Sequence, residues 1–297
     1  MLDIVCLGNA MIDLKTEDSN EYLKDNIKYK GSSFEVPTQE FPVMLEGIKN
    51  YDMYTGGSVA NSAKIFSFLG GSAAFVGKVG KDEYGEFFKS QLESKNVVPA
   101  LKVDDKLSTG CSVVFIHKDK ERTVCAKRRA SKIIKVDDIN WDLIKSAKMV
   151  FIEGYWLDDN LSTVQAVIDF AKENRIKVAF SLSDPKVVSR NIEFFEKNAG
   201  DIDVLFGNKA EFSKIGQNLA KLNVKTLGKD GVEVFDGRDK HEFKALPLKK
   251  IVNTNGAGDA FAGGFLWAKS NNFGLAESVR FGQECSIAVI SNESAGF

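Results

Sequence analysis

Apolar runs of strand length alternate with helical patterns along this chain, and that alternation constrains its fold more than any other feature. The runs Ile4–Leu7, Ala73–Val79, Met149–Glu153, Val178–Leu182 and Val204–Phe206 are apolar almost throughout, as strands covered on both faces are. Between two of them Val164, Val167, Ile168 and Ala171 recur at helical spacing, so residues 161–174 are predicted as an amphipathic crossover helix. After Asn208 the pattern gives a helix, then Val224–Leu227 and Val232–Phe235 as a hairpin-like pair, and residues 258–269 and 275–291 close the chain as helices. This order specifies an α/β fold, a mainly parallel central sheet with helices on both faces. Two segments interrupt it. Residues 15–54 are charged and mixed, and residues 101–126 contain the strand-like Cys111–His117. No internal repeat or low-complexity stretch is present.

Composition removes several function classes. A hydrophobic content of 43% over 297 residues supports a large core, and a single α/β domain of this size is common. A formal charge of −1 gives no electrostatic reason to expect nucleic acid or an anionic membrane as partner. The basic cluster Lys127-Arg128-Arg129 is short, and is read as a solvated face or a local anion contact. Cys6, Cys111, Cys125 and Cys285 are scattered without a Cys-x-x-Cys pair, which fits reduced thiols and a cytoplasmic location. The run Ile4–Leu7 has no basic leader and does not read as a signal peptide. No run reaches the roughly 20 apolar residues that span a bilayer. Monomer and homodimer both remain open.

The chemistry concentrates in residues 253–265, Asn-Thr-Asn-Gly-Ala-Gly-Asp-Ala-Phe-Ala-Gly-Gly-Phe. A lone carboxylate, Asp259, stands among glycines just where an apolar helix begins, and Thr254 or Asn255 is placed to cap it. Unpaired N–H groups and the helix dipole make such an end attractive to a phosphate, and glycines let it approach closely. Amides that hold a transferring phosphate, beside a carboxylate that takes a proton from a hydroxyl, suit phosphoryl transfer. The plainer reading is a small-residue helix packed on a sheet, with Asp259 an ordinary first-turn acid. Gly-x-x-x-x-Gly-Lys-Ser/Thr and Gly-x-Gly-x-x-Gly are both missing, which removes P-loop enzymes and dinucleotide dehydrogenases.

Four pieces in order resemble the ribokinase-like (PfkB) family of sugar and nucleoside kinases. Residues 253–259 match its C-terminal signature Asp-Thr-x-Gly-Ala-Gly-Asp. Gly56-Gly57-Ser58-Val59-Ala60-Asn61 through Gly70-Gly71, continuing into Val76–Gly85, looks like its N-terminal signature. Asn208-Lys209-Ala210-Glu211 matches its Asn-x-x-Glu motif, and Thr226–Gly231 its nucleotide loop. The resemblance runs from about Ile4 to the C-terminus. It implies a three-layer ribokinase-like fold. The core would take residues 1–14, 55–100 and 127–297, with 15–54 and 101–126 forming a small β lid that keeps water from the phosphoryl group.

The resemblance also implies roles. Asp259 would be the base, and the amides of Gly256, Ala257 and Gly258 an anion hole. Asp13, Gly57, Asn61 and Glu153 would bind the substrate, whose vicinal hydroxyls a carboxylate accepts in pairs. Asn208, Thr226, Gly228 and Gly231 would line the nucleotide site. Glu211 would organise Mg2+ through water, although Asn208 and Glu211 read equally well as a helix-capping pair. Tyr155 and Trp156 either stack on a ring or cover the core. Some members build a monovalent-cation site near position 253, where this chain has Asn in place of the usual Asp, and cation dependence stays open. The activity implied is transfer of the γ-phosphate of ATP to a primary hydroxyl of a ribose-containing substrate. Residues 15–54, Ser58 and the aromatic pair resemble adenosine and related nucleoside kinases; Glu153 resembles the sugar-kinase branch acting on ribose or fructose. An inactive nucleotide-binding regulator is the alternative of another class.

Overall fold

The computed structural model describes residues 1–17, 33–117, 122–216, 219–248 and 256–291. The strands are β1 (Ile4–Leu7), β2 (Met11–Thr16), β3 (Ser33–Glu35), β4 (Asp52–Gly56), β5 (Ala73–Gly80), β6 (Val97–Asp104), β7 (Gly110–Ile116), β8 (Arg122–Lys127), β9 (Met149–Glu153), β10 (Lys177–Ser181), β11 (Val204–Asn208), β12 (Leu222–Thr226), β13 (Val232–Asp236) and β14 (Asp239–Phe243). Nine of them form one sheet in the order β14-β13-β12-β11-β10-β9-β1-β5-β6. Every pairing from β12 to β6 is parallel, and β13 and β14 add an antiparallel end. A second sheet, β3-β8-β7-β2-β4, stands beside it. This is the α/β architecture with a mainly parallel sheet that the alternation of runs requires.

Continuous apolar runs are needed because both faces of the central sheet are covered. Along β1, Ile4 and Cys6 enter one core cluster while Val5 and Leu7 enter the other. Phe261 and Phe265, from the Ala257–Ser270 helix, belong to the first cluster; Val164, Val167 and Ile168, from the Leu157–Glu173 helix, belong to the second. The first cluster also takes in Ile12, Leu14, Val113 and Phe115, so the small sheet shares a core with the large one.

The predicted strands occur within a residue or two of their expected ends, and Val224 pairs antiparallel with Val234 as the hairpin-like reading requires. The helix expected at 161–174 begins earlier, at Leu157, and carries a kink with non-helical φ/ψ at Asn160. Strands β6 and β14 had no clear signal. Both lie at sheet ends, where β6 has one buried residue in eight and β14 none in five, so the apolar run that marks a central strand is lost. Among the described residues no helix is long and apolar enough to cross a membrane. All four cysteines are free.

Phe265 anchors the helix that carries Asp259. It is fully buried, with its ring centroid 5.4 Å from that of Phe206 and 6.0 Å from that of Phe261. Phe265→Ala should destabilise the protein by about 3–5 kcal/mol, the usual cost of an emptied aromatic site. Urea unfolding measures this, and a loss below about 1 kcal/mol would contradict the packing described.

Candidate active site

Two helix N-termini meet at the ends of the central strands. The first belongs to the Ser58–Phe68 helix, entered through Gly57 at φ 98°. A Cβ at Gly57 would lie 2.2 Å from the Asn9 carbonyl oxygen, so the chain makes this entry only with glycine there. The second belongs to the Ala257–Ser270 helix, whose cap position is Gly256 in the left-handed region at φ 74°. Asn253, Thr254 and Asn255, and with them the expected cap and the position-253 departure, lie outside the described residues. The two helices approach closely because Gly263 has no side chain; a Cβ there would come within 2.7 Å of the Ser62 carbonyl oxygen. The Ser62 hydroxyl closes the contact by donating to the Asp259 carbonyl oxygen at 2.8 Å.

That contact places the Asp259 carboxylate between two donors. The Ser58 hydroxyl donates to Oδ1 at 2.6 Å, and the Asn61 amide donates to Oδ2 at 2.9 Å. Burial pushes the Asp259 carboxyl above the ordinary aspartate range; both hydrogen bonds and Lys64 pull it back, while Asp13 adds to the rise. The carboxylate is thus desolvated yet held by bonds that favour its charged form.

Three cavities lie in succession around it. The first, of about 410 Å³, is walled by Asn9, Asp13, Gly57, Ser58, Glu153 and Tyr155, with Phe34, Val124 and Ala126 from the small sheet. The second, of about 120 Å³, is lined by Ser58, Asn208, Glu211, Thr226, Gly258 and Asp259. The third, of about 610 Å³, is mostly apolar, with Val232, Leu246, Pro247, Ile287 and Ile290 beside Thr226, Gly228, Gly231, Ala257 and Gly258. Ser58 belongs to the first two; Thr226, Gly258 and Phe261 belong to the last two.

In the first cavity Asp13 accepts a short hydrogen bond from the Ser112 hydroxyl. Burial raises its carboxyl, against the pull of Ser112, Lys64 and Arg122. Gly56 leaves the space: a Cβ there would fall 2.6 Å from the Asp13 carboxylate. Glu153 ends β9 fully buried and accepts from the Asn9 side-chain amide at 2.8 Å and from the Asn9 backbone N–H at 3.3 Å. Desolvation pushes its carboxyl up to about 7. The Asn9 Oδ1 is buried with no hydrogen-bond partner among the described residues. Tyr155 lines this cavity, whereas Trp156 is 1% exposed and packs in the second core cluster. Trp156 thus takes the core reading, while Tyr155 both lines the cavity and packs against the same cluster.

Asn208 and Glu211 form a full capping box. The Asn208 side chain accepts from the Ala210 and Glu211 backbone N–H groups, and Glu211 accepts from the Asn208 backbone N–H at 2.8 Å. The Asn208 amide also donates to Glu211 Oε1 at 2.7 Å. Burial, with Asp184 and Asp259 adding, pushes the Glu211 carboxyl up to about 7. Among the described residues no group of three or more His, Cys, Asp or Glu is placed to hold a metal by itself. A cation that keeps most of its waters and leans on phosphate oxygens fits the second cavity better than a caged ion does.

Two cations were not singled out in the sequence. Lys64 is 2% exposed, donates to the Thr55 hydroxyl at 2.9 Å, and is lowered to about 8 by burial against the pull of Asp13 and Asp259. Arg122 of β8 is lowered by burial and held up by the same two carboxylates. A lysine three residues past an asparagine in a helix carries no sequence signal of its own. Only the fold turns it toward two acids.

A family model described as pfkB family carbohydrate kinase matches residues 1–297. Adenosine kinase 1 of Arabidopsis thaliana is 28% identical, over 98% of this chain and 94% of its own length. The crystal structure of adenosine kinase from Sinorhizobium meliloti superposes with a TM-score of 0.90 at 26% identity, covering 100% of this chain and 96% of that one. A probable sugar kinase from Rhizobium etli superposes equally well, with a TM-score of 0.90 at 24% identity over 99% and 94% of the two chains, and shows the fold alone. The chain belongs to the pfkB family of carbohydrate kinases and is an ATP-dependent phosphotransferase acting on a sugar or a nucleoside.

Proposed function

We propose that this kinase phosphorylates the primary hydroxyl of a ribose-containing substrate, adenosine or a related nucleoside, with Asp259 as the base. The observation that carries the reading is the succession of three cavities, with Asp259 in the middle one. A sugar in the first presents hydroxyls to Asp13 and Glu153. Gly57 lines the same cavity, while Asn61, which lines none of the three, acts on the site through the amide that holds Asp259. ATP spans the other two. Its base lies in the apolar third cavity beside Gly228 and Gly231; its phosphates pass Thr226 and Asn208 to the amides of Gly256, Ala257 and Gly258. Those first-turn amides have no acceptor inside their own helix and stabilise charge on the transferring group. Mg2+ would sit on the phosphates with water-mediated help from Glu211, and supplies charge neutralisation there. An inactive regulator has no use for a carboxylate bonded at both oxygens beside an open helix end.

Tyr155 and the apolar Phe34, Val124 and Ala126 on the first cavity favour a nucleoside, since a base adds aromatic contact and buried apolar area. Glu153 favours a free sugar such as ribose or fructose as the second reading, because a buried acid on the wall of the first cavity can accept from sugar hydroxyls.

Asp259→Asn should leave ATP binding nearly intact and lower kcat by ~10²–10⁴-fold, the usual worth of a positioned base. Steady-state kinetics with ATP titration decides it, and a variant keeping most of the wild-type kcat removes Asp259 from the role. In the wild type, activity should fall as pH drops through the raised Asp259 ionisation, so the acid limb lies above the ordinary aspartate range. A second series sets adenosine against ribose. The nucleoside reading expects adenosine to bind far better, and Tyr155→Ala to erase most of that preference. Equal binding of the two, with Glu153→Gln the damaging change, would favour the free-sugar reading.

A further inference from the structure

Ser58 is the one described residue that lines both the first cavity and the second, and its hydroxyl reaches Asp259 Oδ1 at 2.6 Å. Asp259 itself lines only the second. Any hydroxyl moving from the first cavity toward the phosphate end therefore passes Ser58 before it reaches the carboxylate. The serine is fixed by its place: it opens the Ser58–Phe68 helix directly after the obligatory glycine, with the Ser62 hydroxyl one turn on at 3.4 Å from its carbonyl oxygen. Ser62 is in turn bonded to the Asp259 backbone. Its hydroxyl has one proton and two lone pairs; the proton goes to Asp259, and a lone pair remains for an incoming substrate hydroxyl.

We propose that Ser58 is a positioning residue for phosphoryl transfer, its hydroxyl fixing the orientation in which the Asp259 carboxylate meets the substrate hydroxyl at the wall between the two cavities. This rests on Asp259 being the base. Asn61 holds the other carboxylate oxygen, so the loss of Ser58 frees Oδ1 while leaving Oδ2 anchored. The charged and titratable groups that act on this carboxylate come from several elements: Lys64 on the same helix as Ser58, Arg122 on β8, Asp13 on β2, Glu153 and Tyr155 at the end of β9, and Glu211 after β11. All of these stay in place when Ser58 is changed. What disappears is a hydrogen bond to the charged form, and losing such a bond raises the carboxyl's proton affinity.

The test compares pH profiles of kcat and kcat/KM, with ATP KM, for wild type, Ser58→Ala, Ser58→Thr and Asp259→Asn. Ser58→Ala should lower kcat at neutral pH by about tenfold or more and move the acid limb upward by about one pH unit. ATP KM should change by less than about twofold, because Ser58 does not line the third cavity, where the base of ATP is placed, and its hydroxyl is turned to Asp259. Ser58→Thr, which restores a hydroxyl, should bring the limb back toward wild type. A merely structural serine would lower stability without moving the limb. An alanine variant with wild-type kcat and limb, or a threonine variant that restores neither, overturns the proposal. Should the alanine variant not fold, Ser58→Cys keeps the size with a much weaker donor and must show the same upward shift; a cysteine variant with a wild-type limb overturns it equally. Asp259→Asn separates the two failures. Loss of turnover in that variant beside an indifferent Ser58→Ala sinks only the role of Ser58, whereas turnover that survives Asp259→Asn sinks the base assignment beneath it.

Discussion

The contact between the Ser58–Phe68 and Ala257–Ser270 helices is the constraint on which the rest of this site depends. It is made possible by a missing Cβ at Gly263 and closed by the Ser62 hydroxyl on the Asp259 backbone. Through it one helix end presents a carboxylate and open amides, while the other presents the donors that hold the carboxylate. The glycine-governed entry at Gly57 then turns the same helix toward the first cavity. Without this crossing the first cavity and the other two would be unrelated hollows in an α/β domain.

Electrostatics follow from the same packing. Asp13, Glu153 and Asp259 are all pushed upward by desolvation, and isolated buried carboxylates would simply take up protons. Lys64 and Arg122 oppose this for Asp13 and for Asp259. Glu153 has only the Asn9 amide and backbone bonds, and it is the carboxyl pushed up to about 7. The site thus separates a carboxylate held toward its charged form from one poised between its two forms, a difference set by which cations the fold turns inward.

Much of this was legible in the sequence, for physical reasons. Central strands such as β1 and β9 must be apolar on both faces, so they announce themselves; the exposed β14 does not. Gly57 and Gly256 could be singled out because left-handed backbone and close approach are written as glycine. Asn208 and Glu211 read as a cap, and a cap is what they form, whatever else the pair does. Lys64, Arg122 and Asn9 were not legible, because burial of a polar side chain against a carboxylate far away in sequence leaves no periodic trace. The aromatic pair could not be divided for a similar reason. Whether Tyr155 or Trp156 faces a cavity depends on the turn between β9 and the next helix.

The three-cavity arrangement makes one central claim: phosphate passes from ATP, across Asp259, onto a primary hydroxyl held in the first cavity. Product identification tests it most directly. Wild-type protein incubated with ATP, Mg2+ and adenosine should yield ADP together with a new phosphomonoester, its phosphorus coupled by NMR to the two protons of a methylene carbon. ATP consumed only to inorganic phosphate, or a phosphoester on a secondary carbon, would contradict the account.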